Sequence, residues 1–188
     1  MFMTARVRDM SRSTAPLSGE QQETWLAYMR VMLRLNYEMN RQLQTDSDLS
    51  LADYDVLNAL ADAPSGRLQV TELGARIGWE RSRVSHHLRR MARRELVELG
   101  ASASDRRATD AVLTDTGRDV LVAATPGHAD LVRRMFFDGV DGALVPALHR
   151  ALVQIHEQVL AEGTLPRPAE QRRLPGLRGG PEASGGPR

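Results

Sequence analysis

The chain of 188 residues contains no cysteine and no lysine, and only 4% of its residues are aromatic. The absence of cysteine excludes disulfides, thiolate metal sites, iron–sulfur clusters and thiol redox sensing. The sequence has no run of about 18 or more apolar residues and no apolar segment after a basic start, so it predicts neither a membrane span nor a signal peptide. We therefore expect a soluble, cytoplasmic protein that does not contact a membrane.

Motifs of the common enzyme classes are also missing. The sequence contains no G-x-S-x-G, P-loop, H-E-x-x-H or Rossmann glycine pattern. Of the five histidines, His149 and His156 would lie about 10.5 Å apart on one helix, too far to share a metal ion. The sequence thus predicts a protein that is not an enzyme and that has no cofactor and no metal site.

The charge of the chain is unevenly distributed, although the net charge is only +1. All 25 basic residues are arginine, and residues 76–107 hold nine of them against four acids, whereas residues 19–162 together carry a net charge of −4. One basic segment in an acidic body can steer a polyanion to one face of the protein.

Both ends of the chain differ in composition from the middle. Residues 1–18 show no periodicity, and residues 163–188 contain six glycines and five prolines. These features predict a flexible N-terminal tail and a disordered, basic C-terminal tail around a folded region at 19–162.

The folded region begins with helical periodicity. The expected helices run from Ser18 to about Gln44, from Ser50 to Pro64, through a short segment ending at Gly78, and from Glu80 to about Arg94. Residues 96–99 and 109–113 suit two short strands of a hairpin. Beyond the hairpin, Thr114 or Asp115 can cap a long helical region that Pro126 should break or kink, and a last helix follows Gly142.

This order of elements is typical of a winged helix-turn-helix, and the predicted fold class is mainly α (α+β). We assign residues 50–114 to a DNA-binding lobe. Residues 19–49 and 115–162 carry apolar faces too extensive for one small lobe and are predicted to be dimerisation helices. The side chains behind this expectation are Met29, Met32, Met39, Met135, Phe136 and Phe137.

The basic helix has a predicted inner seam of Val84, Leu88 and Met91, and it is free of acids from Arg81 to Arg94. Arginine can bind guanine with two hydrogen bonds in the major groove, and serine or histidine can contact bases or phosphates. The candidate DNA contacts on this helix are Arg81, Ser82, Arg83, Ser85, His86, Arg89, Arg90 and Arg93. We expect Arg90, Arg93 and also Arg94 to meet phosphates. His87 is expected to be partly buried at the edge of the helix.

The hairpin tip adds Asp105, Arg106 and Arg107 as candidate DNA contacts. An arginine there can enter a narrow minor groove, and Asp105 can fix its aim through an ion pair. Two alternatives remain open: a solvated basic helix, and a winged-helix module that binds a protein partner without sequence-specific DNA binding. An acid-free outward face favours DNA.

These residues resemble the MarR family of bacterial transcription regulators over Glu20–Leu160. The most specific parts are Leu73–Gly78, Arg81–Met91, Leu96-Val97, and Asp105-Arg106-Arg107 followed by Leu113-Thr114-x-x-Gly117. The resemblance implies a homodimer on a pseudo-palindromic double-stranded operator, usually a repressor released by a small aromatic or acidic effector.

Two positions depart from the family pattern. Glu95 stands where many members have glycine, which costs about 1 kcal/mol if the backbone is left-handed there. Glu80 is a poorer helix cap than serine or aspartate. The aromatic and methionine candidates for an effector pocket are Trp25, Tyr28, Met32, Tyr54 and Trp79, and ordinary core packing is the alternative for each of them.

Overall fold

The computed structural model describes residues 15–102, 105 and 107–169. Within these residues the chain forms six α-helices and three β-strands. In chain order they are α1 (Gly19–Ser47), α2 (Leu51–Asp62), β1 (Arg67–Gln69), α3 (Val70–Ile77), α4 (Arg81–Ala92), β2 (Val97–Ala101), β3 (Thr109–Leu113), α5 (Asp115–Val132) and α6 (Val145–Glu162). The predicted helices and the predicted hairpin are confirmed, and the fold is a mainly helical winged helix.

The described part of the chain divides into two compact units, with the boundary between Arg34 and Leu35. In the first unit, Ser18 caps α1 as predicted. Its hydroxyl accepts from the amide of Gln21 at 3.2 Å, and the Gln21 side chain accepts from the amide of Ser18 at 2.9 Å. This part of α1 exposes a series of large apolar side chains, namely Trp25, Leu26, Tyr28, Val31 and Leu33.

The second unit has its core beneath the helix-turn-helix. Ten large side chains are almost fully buried there: Leu43, Leu49, Val56, Leu57, Leu60, Leu73, Val84, Leu88, Met91 and Val97. Helix α2 starts in this core with a capping box, because Ser50 accepts from the amide of Asp53 at 3.0 Å and Asp53 accepts from the amide of Ser50 at 2.9 Å. The predicted cap at Ser50 is therefore confirmed.

The sheet has the order β1-β3-β2 and is antiparallel throughout. Strands β2 and β3 pair from Val97 opposite Leu113 to Ala101 opposite Thr109, as the predicted hairpin requires. The sequence did not predict β1, which has three residues and pairs Leu68 with Ala111. A strand this short carries no readable alternation and forms because β3 offers it an edge.

Helix α5 corrects one expectation. Pro126 lies inside a helix that continues from Asp115 to Val132, so it does not break the helix. Proline removes one backbone hydrogen bond, but buried side chains at Leu121, Ala124 and Leu131 hold the inner face on both sides of it. A π-helical turn at Arg133–Phe137 follows α5 directly.

The junction from the hairpin into α5 explains the Thr-x-x-Gly motif. Thr114 accepts from the amide of Gly117 at 2.9 Å and donates to the carbonyl oxygen of Glu95 at 2.7 Å. A Cβ atom at position 117 would lie 2.1 Å from the carbonyl oxygen of Leu96, so only glycine fits. Glu95 itself has φ +58°, which confirms the left-handed backbone expected at this position.

Candidate nucleic-acid interface

Helix α4 presents the predicted basic face outward. Its inner seam of Val84, Leu88 and Met91 is 0% exposed. Every predicted contact on the helix except Ser85 is exposed, and the exposed set is Arg81, Ser82, Arg83, His86, Arg89, Arg90 and Arg93. Ser85 is half-buried, and its hydroxyl donates to the carbonyl oxygen of Arg81 at 2.9 Å. A rigid apolar seam thus holds a row of guanidinium groups on one side of the lobe.

The turn before α4 depends on glycine. Gly78 ends α3 with φ +70°, a left-handed conformation that glycine adopts without strain. The amide of Trp79 then donates to the carbonyl oxygen of Gly74 at 2.8 Å. Glu80 occupies the N-cap of α4 without a side-chain hydrogen bond to the helix, in agreement with the expected weak cap. The first turn of α4 therefore begins without a side-chain cap.

Two exposed arginines, one in α4 and one just after it, contact other side chains of the protein. The Cζ atom of Arg83 lies 4.0 Å from the centroid of the Trp79 ring, a cation–π contact. Arg94 donates to Asp53 at 3.1 Å, to the Asp48 carboxylate at 3.2 Å and to the Asp48 carbonyl oxygen. These contacts turn its guanidinium toward the N-terminus of α2, and the phosphate contact expected of Arg94 stays a prediction.

Asp53 and His87 form a buried pair between α2 and α4. The two residues are 5% and 8% exposed, and His87 Nε2 lies 2.9 Å from Asp53 Oδ1. Burial alone would raise the pKa of Asp53, but the close contact with His87 and the hydrogen bonds with Ser50 outweigh burial and hold the pKa well below its usual value. The carboxylate therefore stays ionised at neutral pH. The sequence predicted the burial of His87 but not its acidic partner.

A small groove of about 150 Å³ separates α4 from the wing. Its walls are Val70, Arg81, Ser85, Leu88, Arg89, Leu99 and Thr109. The two arginines and the serine belong to the predicted contact face, whereas Leu99 of β2 was not singled out in the sequence. The groove between the wing and the recognition helix is thus lined by both polar and apolar side chains.

The tip of the wing is held by backbone hydrogen bonds. The Asp105 carboxylate accepts from the amide of Arg107 at 2.9 Å, and the Asp105 carbonyl oxygen accepts from the amide of Ala108 at 2.8 Å. Asp105 therefore shapes the turn through its neighbour's backbone, and the predicted ion pair with a wing guanidinium stays a prediction. Arg107 is exposed, and Arg106 lies outside the described residues.

The predicted pocket residues have different surroundings. Trp25 and Tyr28 are exposed, and their ring centroids lie 5.5 Å apart. Met32 and Trp79 are half-buried. Tyr54 is buried with its ring centroid 4.4 Å from that of His128. An effector pocket stays a prediction for these five residues.

Within the described part of the chain, no helix is long and apolar enough to cross a membrane. In the same residues, no three histidine or acidic side chains come together as metal ligands would.

A helix-turn-helix whose second helix has an arginine-rich outer face, followed by a β-hairpin, defines a winged helix-turn-helix protein of the DNA-binding type. Comparison with known proteins then gives the family. Residues 47–108 match the family model described as "MarR family". The chain is 33% identical to Sco3205 of Streptomyces coelicolor, a MarR family transcriptional regulator solved in complex with DNA. The match covers 81% of this chain and 99% of Sco3205, with a TM-score of 0.75. The chain belongs to the MarR family of transcriptional regulators and is not an enzyme.

Two further solved structures extend the comparison. AbsC, a MarR family transcriptional regulator of Streptomyces coelicolor, is 30% identical, with 79% of this chain and 100% of that chain covered and a TM-score of 0.73. CouR of Rhodococcus jostii RHA1, solved with p-coumaroyl-CoA, is 21% identical over 77% of this chain and 96% of that chain, with a TM-score of 0.62, and shares the fold. No curated protein matches the chain significantly.

Proposed function

We propose that the chain is a homodimeric transcriptional repressor that binds a pseudo-palindromic DNA operator and is released by a small aromatic or acidic effector. The observation that carries this proposal is the acid-free, exposed row of arginines on α4 above a fully buried apolar seam. Such a helix can enter a major groove without reorganising its own core. We expect the protein to act in the cytoplasm, where its operator is accessible.

The DNA contacts are assigned by position along α4. Arg81, Ser82 and Ser85 lie in the first turns, where a recognition helix meets base edges, and Arg89 lies one turn further along the same face. Arg90 and Arg93 are placed toward the phosphates. The wing arginines, Arg106 and Arg107, are assigned to the minor groove. Sco3205 was solved in complex with DNA, and this similarity supports DNA binding by the present chain.

A homodimer is supported by the surface of α6. None of the residues of this helix is buried, and Leu152, Ile155 and Val159 are 41%, 59% and 60% exposed. An apolar stripe of this extent requires a partner surface, since soluble monomers rarely expose contiguous apolar patches. A second copy of the chain satisfies this requirement and places two recognition helices about one DNA turn apart.

The chemical class of the proposed effector is supported by one structural relative. CouR is described as bound to p-coumaroyl-CoA, an aromatic acyl thioester. By analogy we assign the effector of this chain to the aromatic acids, with Trp25, Tyr28, Met32, Tyr54 and Trp79 as candidate contacts. A ligand that prefers a different spacing of the recognition helices would weaken DNA binding by its differential affinity for the two states.

The test is a gel shift with the DNA upstream of the protein's own gene, carried out over a salt series. We expect affinity to fall steeply as salt rises, because each arginine that neutralises a phosphate releases counterions. A panel of aromatic acids is then added to the complex, and at least one member should release the DNA. Weak binding without sequence preference would instead favour a winged-helix module that binds a protein partner.

A further inference from the structure

A continuous chain of side-chain contacts runs from the start of α2 to the exposed face of α4. It begins at Asp53, whose two carboxylate oxygens lie 2.9 Å from His87 and 3.1 Å from Arg94. Asp53 is itself fixed by the capping box with Ser50. Because the Asp53 carboxylate is also bound by Arg94 and by the amide of Ser50, His87 lies against a fixed group on one side.

The second side of His87 faces Trp79. The two rings meet edge to face, with centroids 5.3 Å apart and an interplanar angle of 88°, which is a favoured geometry for aromatic pairs. The Trp79 ring in turn carries the guanidinium of Arg83, whose Cζ atom lies 4.0 Å from the ring centroid. His87 is 8% exposed, whereas Arg83 is exposed.

This arrangement connects a buried residue to a candidate DNA contact. Arginine has a long, flexible side chain, and ordering it on binding costs free energy. A guanidinium that already rests on a fixed aromatic ring in the free protein loses less freedom when DNA arrives. The Trp79 ring also packs against the hydrophobic core, and His87 is the aromatic partner that it meets edge to face.

We propose that His87 is a positioning residue for DNA binding: its ring holds Trp79 in place, and Trp79 holds Arg83 in one orientation on the DNA-facing side of α4. The proposal rests on the proposed function, because it assigns a role within the same DNA-contact surface. If His87 only packed in the core, its effect on DNA affinity would not depend on Arg83. The proposal instead requires that His87 acts on DNA affinity through Arg83.

A double-mutant cycle tests this claim, with affinity measured by fluorescence anisotropy on a duplex that the wild-type protein enriches from a random library. His87→Gln keeps an amide donor for Asp53 but removes the ring edge that contacts Trp79. We expect it to lower affinity roughly threefold to tenfold, the range that ring and cation–π contacts contribute. In the Arg83→Ala background, His87→Gln should cause no further loss.

The matched control is Arg90→Ala, which removes another exposed arginine of the same helix. His87→Gln should lower affinity by the same factor in the Arg90→Ala background as in the wild type. An equal loss in the Arg83→Ala background would overturn the proposal, since His87 would then act on the lobe as a whole. No loss in the wild-type background would overturn it too.

A second measurement needs no DNA. In the free protein, the ring current of Trp79 should shift the side-chain Nε–H resonance of Arg83, and His87→Gln should return that resonance toward its free value. If the wild-type chain enriches no DNA sequence from the library, the proposed function fails. The Arg83 resonance of the free protein would still show whether His87 holds Trp79 and Arg83 in place. An unchanged Arg83 resonance in folded His87→Gln would contradict the proposal.

If thermal melting shows that His87→Gln does not fold, two other variants replace it. His87→Phe keeps the ring edge on Trp79 and loses the contact with Asp53, so we expect the Arg83 resonance to stay shifted. Trp79→Leu removes the platform without touching Asp53, and its loss of affinity should vanish in the Arg83→Ala background. The opposite result for Trp79→Leu would overturn the proposal.

Discussion

Helices α4 and α6 have similar amphipathic sequences but opposite surroundings. In α4 the apolar seam of Val84, Leu88 and Met91 is 0% exposed, and the arginines point outward. In α6 the corresponding apolar stripe, which includes Leu152 and Ile155, is open, and no residue of the helix is buried. The apolar face of α4 is buried within one chain, whereas the apolar face of α6 stays exposed within the described chain.

The sequences of α4 and α6 show the same helical periodicity, but the structure shows that the exposed faces of the two helices differ in kind. The outward face of α4 is charged and suits a polyanion, because its arginines stand on a rigid core. The outward face of α6 is apolar and suits another apolar surface. Substitutions in the two helices should therefore affect different equilibria, DNA binding for α4 and self-association for α6.

The largest effect is expected from a charge in the apolar stripe of α6. Ile155→Asp places a carboxylate on a surface that the proposed dimer buries, and an unpaired buried charge is strongly unfavourable. We expect the dimer dissociation constant to rise by more than about 100-fold, with a similar loss of operator affinity. Sedimentation equilibrium measures the first quantity, and fluorescence anisotropy measures the second.

Gln154→Asp is the control for charge alone, since it adds a carboxylate on the polar side of the same helix. Its dimer should dissociate like the wild type at equal ionic strength. A dimer that also tolerates Ile155→Asp would remove α6 from the interface.

The next effect compares two arginines of the α4 segment. Arg89→Ala should lower operator affinity by about 1–3 kcal/mol if it contacts a base, and it should leave the free energy of unfolding unchanged. Arg94→Ala should instead lower the free energy of unfolding by about 1–3 kcal/mol, because Asp53 loses a charged partner inside the protein. Urea unfolding and anisotropy titrations, applied to both variants, measure the two quantities.

The reverse pattern, with Arg89 affecting stability and Arg94 affecting DNA affinity alone, would contradict the assignment of the two side chains. Arg93→Ala gives a reference for a phosphate contact, since its loss should be nearly uniform across DNA sequences.

A smaller gain is expected at Glu95, whose backbone is left-handed with φ +58°. Glycine adopts this conformation without the clash of a Cβ atom, so Glu95→Gly should raise the free energy of unfolding by up to about 1 kcal/mol. Glu95→Ala keeps a Cβ atom and should give no such gain. Urea unfolding of both variants checks the difference, and an equal gain for the two would show that backbone strain is not the cause.

The smallest effect at pH 7 is expected from the substitution of His128, and its effect on the free energy of unfolding should grow as the pH falls. Burial against Tyr54 lowers the pKa of His128 below its usual value of about 6.5, so the folded state favours the neutral ring. The unfolded chain therefore takes up protons first, and stability present at pH 7 is lost as the pH falls below about 6.5. His128→Leu should flatten this slope in urea unfolding measured from pH 7 to pH 5.

His86→Gln, which removes an exposed histidine, should keep the wild-type slope. If His128→Leu keeps that slope as well, another group is responsible for the acid sensitivity.

The sequence predicted the order of helices, the hairpin and the family because these depend on local signals. The caps at Ser18 and Ser50, the turn at Gly78 and the seam from Val84 to Met91 are all set by residues a few positions apart. Strand β1 escaped prediction because its three residues are recruited by a distant edge. Pro126 was expected to break or kink α5, and the helix continues through it because tertiary burial on both sides outweighs one lost hydrogen bond.

The candidate interface divides in the same way. Periodicity alone placed the arginines of α4 on an outward face, because a helix fixes the angle between successive side chains. It could not predict that Arg94 binds Asp53 and Asp48, each of which lies more than 40 positions away in the sequence. Nor could it pair His87 with Asp53 and Trp79.

The sequence by itself determined a winged helix with a basic recognition helix, since capping, turn chemistry and hydrophobic period act over a few residues. Only the tertiary structure decided which charged side chains remain free for a ligand and which are used to join one helix to another. Ion pairs and ring contacts form between residues that the fold brings together, and their partners cannot be inferred from spacing along the chain.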